Sequence, residues 1–149
     1  MRVRVPPGRT VNVLILPAGE EADEIAGLML AQLLDGCGYC ATVSSAASLV
    51  GEVLAAVEGR QANVVCVSAM PPGSVARARY LCKRLHEKHA ELQPLVGLWA
   101  FRGHLAPAAE RLALATPGQL VTTLQDAQEH IGHLAQPFLA GGQAGGGPL

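Results

Sequence analysis

The chain has 149 residues, the size of one ordinary domain, and half of them are hydrophobic. Its formal net charge of -1 excludes a basic nucleic-acid-binding surface spread over the whole domain. No apolar run reaches the roughly 18 residues of a membrane span, and the N-terminus lacks the apolar core of a signal peptide, so we expect a cytoplasmic protein.

The first third of the chain predicts a strand, a helix and a second strand. After a lead-in over residues 1–10, the run VNVLIL over residues 11–16 is typical of a strand, and YCATVS over residues 39–44 predicts another. Between them a helix is predicted over residues 21–34, and its acidic first turn matches the helix dipole. We expect its buried stripe to contain Ile25, Leu28, Met29, Leu33 and Leu34.

The middle of the chain predicts a helix closed by Gly59, then a strand, a loop and another helix. The β-branched run over residues 62–67 indicates a strand buried on both faces. Pro71, Pro72 and Gly73 then force a turn. Ser74 can cap the next helix, which extends to residue 89 with Tyr80, Leu81 and Leu85 on its apolar side.

The last part of the chain predicts two further strands and two further helices. A glycine-rich tail over residues 138–149 follows the domain, which spans residues 11–137, and we expect this tail to be flexible. The predicted elements are strands over residues 95–100 and 120–121, and helices over residues 107–114 and 123–135.

Five strands thus alternate with five helices through short connections. Because crossovers between parallel strands are right-handed, this order favours an α/β fold with a doubly wound five-stranded parallel sheet in three layers. The strand order 2-1-3-4-5 is the common one for this number of units. It places the loops after strands one and three beside the switch point, where such sheets bind ligands.

The loop sequences argue against several kinds of chemistry. The loop after strand one contains a single glycine, Gly19, followed by Glu20 and Glu21, whose carboxylates would repel a phosphate. A phospho-accepting receiver domain needs an aspartate at the end of strand three, where this chain has Ser68. No nucleophile stands near a base in the sequence, so we predict no catalytic residues and no enzyme.

Cys37 and Cys40 form a C-x-x-C pair, a spacing that can bind zinc or carry out redox chemistry. The pair straddles a helix end and the start of a strand, so Cys40 is expected to point into the sheet. We therefore interpret the pair as ordinary buried thiols and predict no metal site.

Motifs in two loops resemble those of cobalamin-binding domains of the methylmalonyl-CoA mutase and methionine synthase type. Ser68, Ala69 and Met70 match the Ser-x-Met step after strand three, and Gly97 supplies one of two glycines expected after strand four. The family's histidine after strand one, which ligates cobalt, is absent, since no histidine precedes residue 86. The resemblance implies a flavodoxin-like fold over residues 11–135.

Two segments, EEADEIAGLMLAQLL and VSAMPPGSVARARYLCKRL, are also similar to soluble domains attached to permeases of the autoinducer-2 exporter family. This resemblance implies a non-catalytic ligand-sensing or regulatory domain associated with a membrane transporter. We expect no resident cofactor. The alternative is a cobalamin-binding carrier or light sensor that lacks a histidine ligand.

The partner is expected to be a small molecule or a protein, including a second copy of the chain, and not a nucleic acid.

The sequence offers two groups of residues as candidate sites. Basic residues on one helix are a candidate interaction face, the alternative being a solvated helix surface: Arg77, Arg79, Lys83, Arg84 and Lys88. The predicted ligand-binding residues lie in the loops after strands one, three and four: Gly19, Glu20, Glu21, Ser68, Ala69, Met70, Pro71, Gly73, Gly97 and Trp99.

Overall fold

The computed structural model describes residues 4–146, with side chains described up to residue 139. Strands and helices alternate along these residues as the sequence predicts. The strands are β1 Asn12–Pro17, β2 Cys40–Val43, β3 Val64–Ala69, β4 Leu95–Leu98 and β5 Leu120–Val121. The helices are α1 Glu21–Asp35, α2 Val50–Gly59, α3 Val75–Lys88, α4 Leu105–Arg111 and α5 Leu124–Gly146, and a 3-10 turn, Pro117–Gln119, precedes β5.

The five strands form one parallel sheet in the order β2-β1-β3-β4-β5. Leu14 of β1 is paired with Val65 of β3, and Val67 of β3 is paired with Val96 of β4. The predicted flavodoxin-like α/β fold is confirmed. The carboxyl ends of β1 and β3, the neighbours at which the strand order reverses, meet at one edge of the sheet.

Both faces of the sheet are buried, and the strand residues alternate between two apolar cores. Leu14 and Leu16 pack on the side of α2, α3 and α4. Val13 and Ile15 pack on the opposite side with residues of α1 and α5. This alternation produces the three predicted layers, and it explains why the strands are continuously apolar.

Helix α1 buries a different face from the one predicted. Its buried residues are Asp23, Gly27, Leu30, Ala31 and Leu34. Gly27 allows this close packing, since a Cβ there would lie 3.0 Å from the Ile15 side chain. Four of the five residues assigned to the buried stripe are instead exposed by 37 to 52%: Ile25, Leu28, Met29 and Leu33.

Helix α5 continues beyond the predicted end at residue 135, through Pro137, to Gly146. Leu139 packs against the core on the α1 side, which gives the helix a tertiary contact after the proline. The predicted boundary at residue 138 therefore lies within the helix.

The described lead-in residues at the N-terminus are attached to the domain, since Val5 N–H donates to the Cys37 carbonyl at 2.9 Å. Within the described range, no helix combines the length and apolarity that crossing a membrane requires.

Candidate functional site

A buried carboxylate, Asp23, joins the ends of β1 and β3. Its Oδ2 accepts hydrogen bonds from the backbone N–H groups of Gly19, at 3.1 Å, and Glu20, at 2.8 Å. Its Oδ1 accepts one from Met70 N–H at 2.7 Å. The hydroxyl of Ser74 donates to Oδ2 at 2.7 Å. Four donors thus hold a side chain that has no exposed surface.

The end of β3 is connected to β4 through Ser68, which is also fully buried. Its hydroxyl donates to the Asp23 carbonyl oxygen at 2.7 Å and accepts a hydrogen bond from Trp99 Nε1 at 2.8 Å. The Ser68 hydroxyl therefore has both a donor and an acceptor inside the protein, and no histidine approaches it among these contacts. We call Asp23, Ser68, Ser74 and Trp99 the switch-point network.

Side chains fill the space beside two of the three glycines of the predicted site, Gly73 and Gly97. Trp99 lies over Gly97, where an added Cβ would stand 2.8 Å from Cζ3 of the indole and closer to two other ring atoms. Glu20 lies beside Gly73, with Oε1 2.6 Å from the position of an added Cβ. The groove that these glycines would have opened for a ligand is occupied by the protein itself.

The structure brings most of the predicted ligand-binding residues together at one edge of the sheet, but four of the ten are buried in the interior: Ser68, Ala69, Gly97 and Trp99. Ala69 is fully buried, and Met70 is half-buried against the core on the α1 side. Pro71 is half-buried in the turn that leads into α3, whereas Glu21 is exposed on the first turn of α1.

The remaining motifs of the cobalamin-binding resemblance do not fit that cofactor. The hydroxyl of Ser68 is committed to Asp23 and Trp99, and the indole covers Gly97. The loop between β1 and α1 contains no histidine to ligate cobalt. A corrin at this edge would have to displace a buried tryptophan.

The predicted basic face of α3 is only partly free. Arg79 donates to the Arg111 carbonyl at 2.7 Å, which ties α3 to the end of α4. Arg84 donates to the Tyr80 hydroxyl at 3.0 Å and forms an ion pair with Glu87 at 3.4 Å. Lys83 and Lys88 are exposed on the same helix. Tyr80, which the pattern assigned to the buried side, is 51% exposed.

Arg77 lies in the first turn of the same helix, next to the loop that follows β1. Its side chain crosses Gly19, and together with Tyr80 and Ser48 it lines a pocket of about 250 Å³ between α2 and α3. This pocket is on the opposite side of the sheet from α1.

The C-x-x-C pair does not form a metal centre with other described residues. Cys37 is buried, and its Sγ accepts a hydrogen bond from Gln128 at 3.2 Å. Cys40 is exposed, contrary to the prediction that it points into the sheet. Among the residues whose side chains are described, no group of three or more His, Cys, Asp or Glu could hold a metal ion.

The sequence pattern did not predict the roles of Asp23 and Ser74, whose hydrogen bonds connect the loops of this site. The sequence predicts Asp23 to be one of several acids in the first turn of α1 that the helix dipole favours, and it predicts Ser74 to cap α3. Ser74 does occupy the N-cap position of α3, but its hydroxyl bonds to Asp23 and not to the helix backbone. The available signal was the spacing of Asp23, which lies four and seven residues before Gly27 and Leu30 and therefore shares a helix face with them.

Solved structures resemble this fold at low sequence identity. NtrX from Brucella abortus, solved in complex with ADP, matches with 18% identity and a TM-score of 0.54, covering 91% of this chain and 27% of that one. A protein of Burkholderia pseudomallei K96243 described as pilus assembly-related matches with 11% identity and a TM-score of 0.52, covering 85% and 90%. This chain therefore spans about a quarter of the length of NtrX. No family model and no curated protein sequence matches it. At these identities the likeness shows the fold alone.

Proposed function

We propose that this domain is a non-catalytic regulatory module that binds a partner protein through the exposed face of α1. The observation that carries the proposal is a continuous apolar stripe on that helix, formed by Ile25, Leu28, Met29 and Leu33. Four large apolar side chains on one surface helix are more than the scattered exposed residues of an ordinary surface. The stripe has the spacing with which one helix packs against another.

The chemistry of the switch point supports a non-catalytic role. Asp23 accepts four hydrogen bonds, and Ser68 both donates and accepts within the core. A general base or a nucleophile needs an unshared lone pair that a substrate can approach. These side chains instead stabilise the loops, as a scaffold for surface recognition requires.

The charges on α1 favour a basic helix as the occupant of this stripe. Helix α1 contains Glu21, Glu24 and Asp35 besides the buried Asp23, and no lysine, arginine or histidine. An amphipathic partner helix with apolar residues on one face and lysines or arginines at its edges would complement both the stripe and the acids.

A second copy of this chain would fit less well. An antiparallel pair of α1 helices would place Glu21 of one copy near Asp35 of the other, and a parallel pair would place Glu21 beside Glu21. Like charges facing each other cost several kcal/mol in an interface. The acids therefore disfavour self-pairing through α1.

The test measures binding of a defined helical peptide by fluorescence anisotropy. The peptide carries leucine at helical positions i, i+3, i+4 and i+7 and lysine elsewhere, and its twin has glutamate in place of lysine. We expect the lysine peptide to bind and the glutamate peptide not to bind. Met29→Ser and Ile25→Ser should each weaken binding at least tenfold, because interface apolar anchors carry most of the affinity.

Leu105→Ser is the matched control, since Leu105 is 41% exposed on α4, away from the stripe. Equal weakening by this variant would mean that the peptide adsorbs without a defined site, which overturns the proposal. Sedimentation of the free protein supplies a second readout. A dimer that Met29→Ser dissociates would identify a second copy as the occupant and would also overturn it.

Cobalamin binding is the alternative function that the resemblance offers. Since Trp99 covers Gly97 and the loop between β1 and α1 contains no histidine, we expect no corrin absorption band to remain after incubation with hydroxocobalamin and desalting. A retained band, together with a change in Trp99 fluorescence, would favour the carrier or sensor function over the docking module.

A further inference from the structure

We propose that the pocket between α2 and α3 binds a small monocarboxylate with a short apolar body, and that Arg77 recognises its carboxylate. The pocket opens beside the carboxyl end of β1, lined by Pro17, Ala18 and Gly19 at that end. Loops at this edge of a doubly wound sheet are where ligands bind in this architecture. The pocket lies across the sheet from α1, so this proposal goes beyond the docking function and does not depend on it.

The guanidinium of Arg77 is the charged group available in this pocket. Within the described part of the chain it makes no hydrogen bond or ion pair. Arg79 and Arg84 on the same helix, by contrast, are engaged by a carbonyl, a hydroxyl and a carboxylate. Because Gly19 has no side chain, Arg77 can lie directly over the backbone of this loop, where an added Cβ would overlap it.

The lining of the pocket carries one positive charge and is mostly apolar. None of its described lining residues is an aspartate or a glutamate, so nothing in the wall neutralises Arg77. Val50, Val53 and Leu81 supply aliphatic walls. A ligand that suits this lining has an anionic head and an apolar body.

Two hydroxyl groups can assist the recognition of the head. Tyr80 accepts a hydrogen bond from Arg84, which leaves its own proton free to donate to a ligand oxygen. Ser48 lies on the opposite wall, at the start of α2. An arginine fork with one or two hydroxyl donors matches the two oxygens of a carboxylate.

The volume and the charge select the ligand class. At about 250 Å³ the pocket is smaller than the pockets that hold drug-sized ligands, which begin near ~300 Å³. A single guanidinium compensates one negative charge, whereas a phosphate monoester carries nearly two at neutral pH. A short aliphatic or aromatic monocarboxylate meets both conditions.

The experiment titrates the labelled full chain with hexanoate and follows amide shifts by NMR at physiological salt. Hexanamide is the uncharged twin of the probe, and inorganic phosphate is an anion without an apolar body. We expect hexanoate to shift the amides of residues 18–19 and 48–53, with little response to hexanamide. Arg77→Gln should raise the dissociation constant at least tenfold, and Tyr80→Phe should raise it less.

Lys83→Gln is the matched control, because it removes one positive charge from the same helix outside the pocket. Gly19→Ala is a second variant, which should displace Arg77 without removing it and so weaken hexanoate binding. Equal responses to hexanoate and hexanamide, or equal losses for the Arg77 and Lys83 variants, would overturn the proposal. A response of the pocket to phosphate but not to hexanoate would overturn the carboxylate assignment.

Discussion

The indole Nε1 of Trp99 donates a 2.8 Å hydrogen bond to the hydroxyl of Ser68 inside the core. This bond joins the ends of two neighbouring strands, β3 and β4, at the edge where a ligand was expected. Each partner satisfies a polar group that would otherwise be buried without a hydrogen bond. The carboxyl ends of β3 and β4 are therefore part of the stabilising interior.

Ser68→Ala should lower the free energy of unfolding by about 1 to 3 kcal/mol, because it leaves the buried Trp99 N–H without a partner and removes a second hydrogen bond to the Asp23 carbonyl. Urea unfolding followed by fluorescence measures this directly, since Trp99 is the single tryptophan of the chain. Thr10→Ala is the control, because Thr10 is exposed and its side chain makes no hydrogen bond with the described residues, so the stability should change by less than about 0.5 kcal/mol. Equal losses of stability in the two variants would contradict a stabilising role of the buried hydrogen bonds of Ser68.

Gly97→Ala should destabilise the protein by about 2 kcal/mol or more, since overpacking forces the Trp99 ring or the β4 backbone to move. The emission maximum of Trp99 should shift in the same variant. Gly51→Ala in α2 is the control, because no atom lies within 4 Å of its added Cβ, and it should stabilise the helix slightly. An unchanged melting temperature for Gly97→Ala would contradict the packing described.

Ala100→Gly should raise the free energy of unfolding by about 0.5 to 1 kcal/mol. Ala100 has φ of 60°, in the left-handed region that glycine adopts without the steric cost of a Cβ. Ala55→Gly, at an exposed position of α2, should instead lower the stability by about 1 kcal/mol. Thermal unfolding of the two variants should therefore move in opposite directions.

Alkaline pH should destabilise the protein through two buried thiols. Burial raises the pKa of Cys66 and of Cys82 from 9.0 to about 12. Above pH 9 the unfolded chain ionises these thiols and the folded chain does not, so the stabilising contribution is complete below pH 9 and declines as the pH rises toward 12. Each thiol contributes a slope of about 1.4 kcal/mol per pH unit in that window.

The measurement compares urea unfolding of the native sequence and of Cys82→Ala at several pH values from 8 to 11. Replacing the thiol removes one titrating group, so the variant should lose stability less steeply above pH 9. Parallel curves for the two proteins would exclude Cys82 as a source of the alkaline destabilisation.

The fold could be predicted because the strands are continuously apolar and the turns carry glycine and proline. The buried face of α1 could not, since both sides of that helix contain apolar residues and periodicity alone does not choose between them. Gly27 decides the choice, because only this face can approach Ile15 closely. That criterion depends on the distance between helix and sheet, which no pattern of hydrophobicity contains.

The switch-point network was missed for a related reason. Asp23 stands in an acidic first turn, where every carboxylate has the same electrostatic explanation. Its role depends on Met70 and Ser74, which lie 47 and 51 residues further along the chain. Partners this distant come together only when β1 and β3 pair, so the loops could be located from the sequence while their internal bonding could not.

The outer strands of the sheet are short, with four residues in β2 and two in β5. Unpaired strand edges are the usual template on which chains stack into aggregates, and short edges give such stacking little to grow on. Association of this molecule is therefore directed to its helices. Once a helix face is covered by a partner, it offers no further surface for binding. At high protein concentration the molecule should therefore form discrete complexes and not growing fibres.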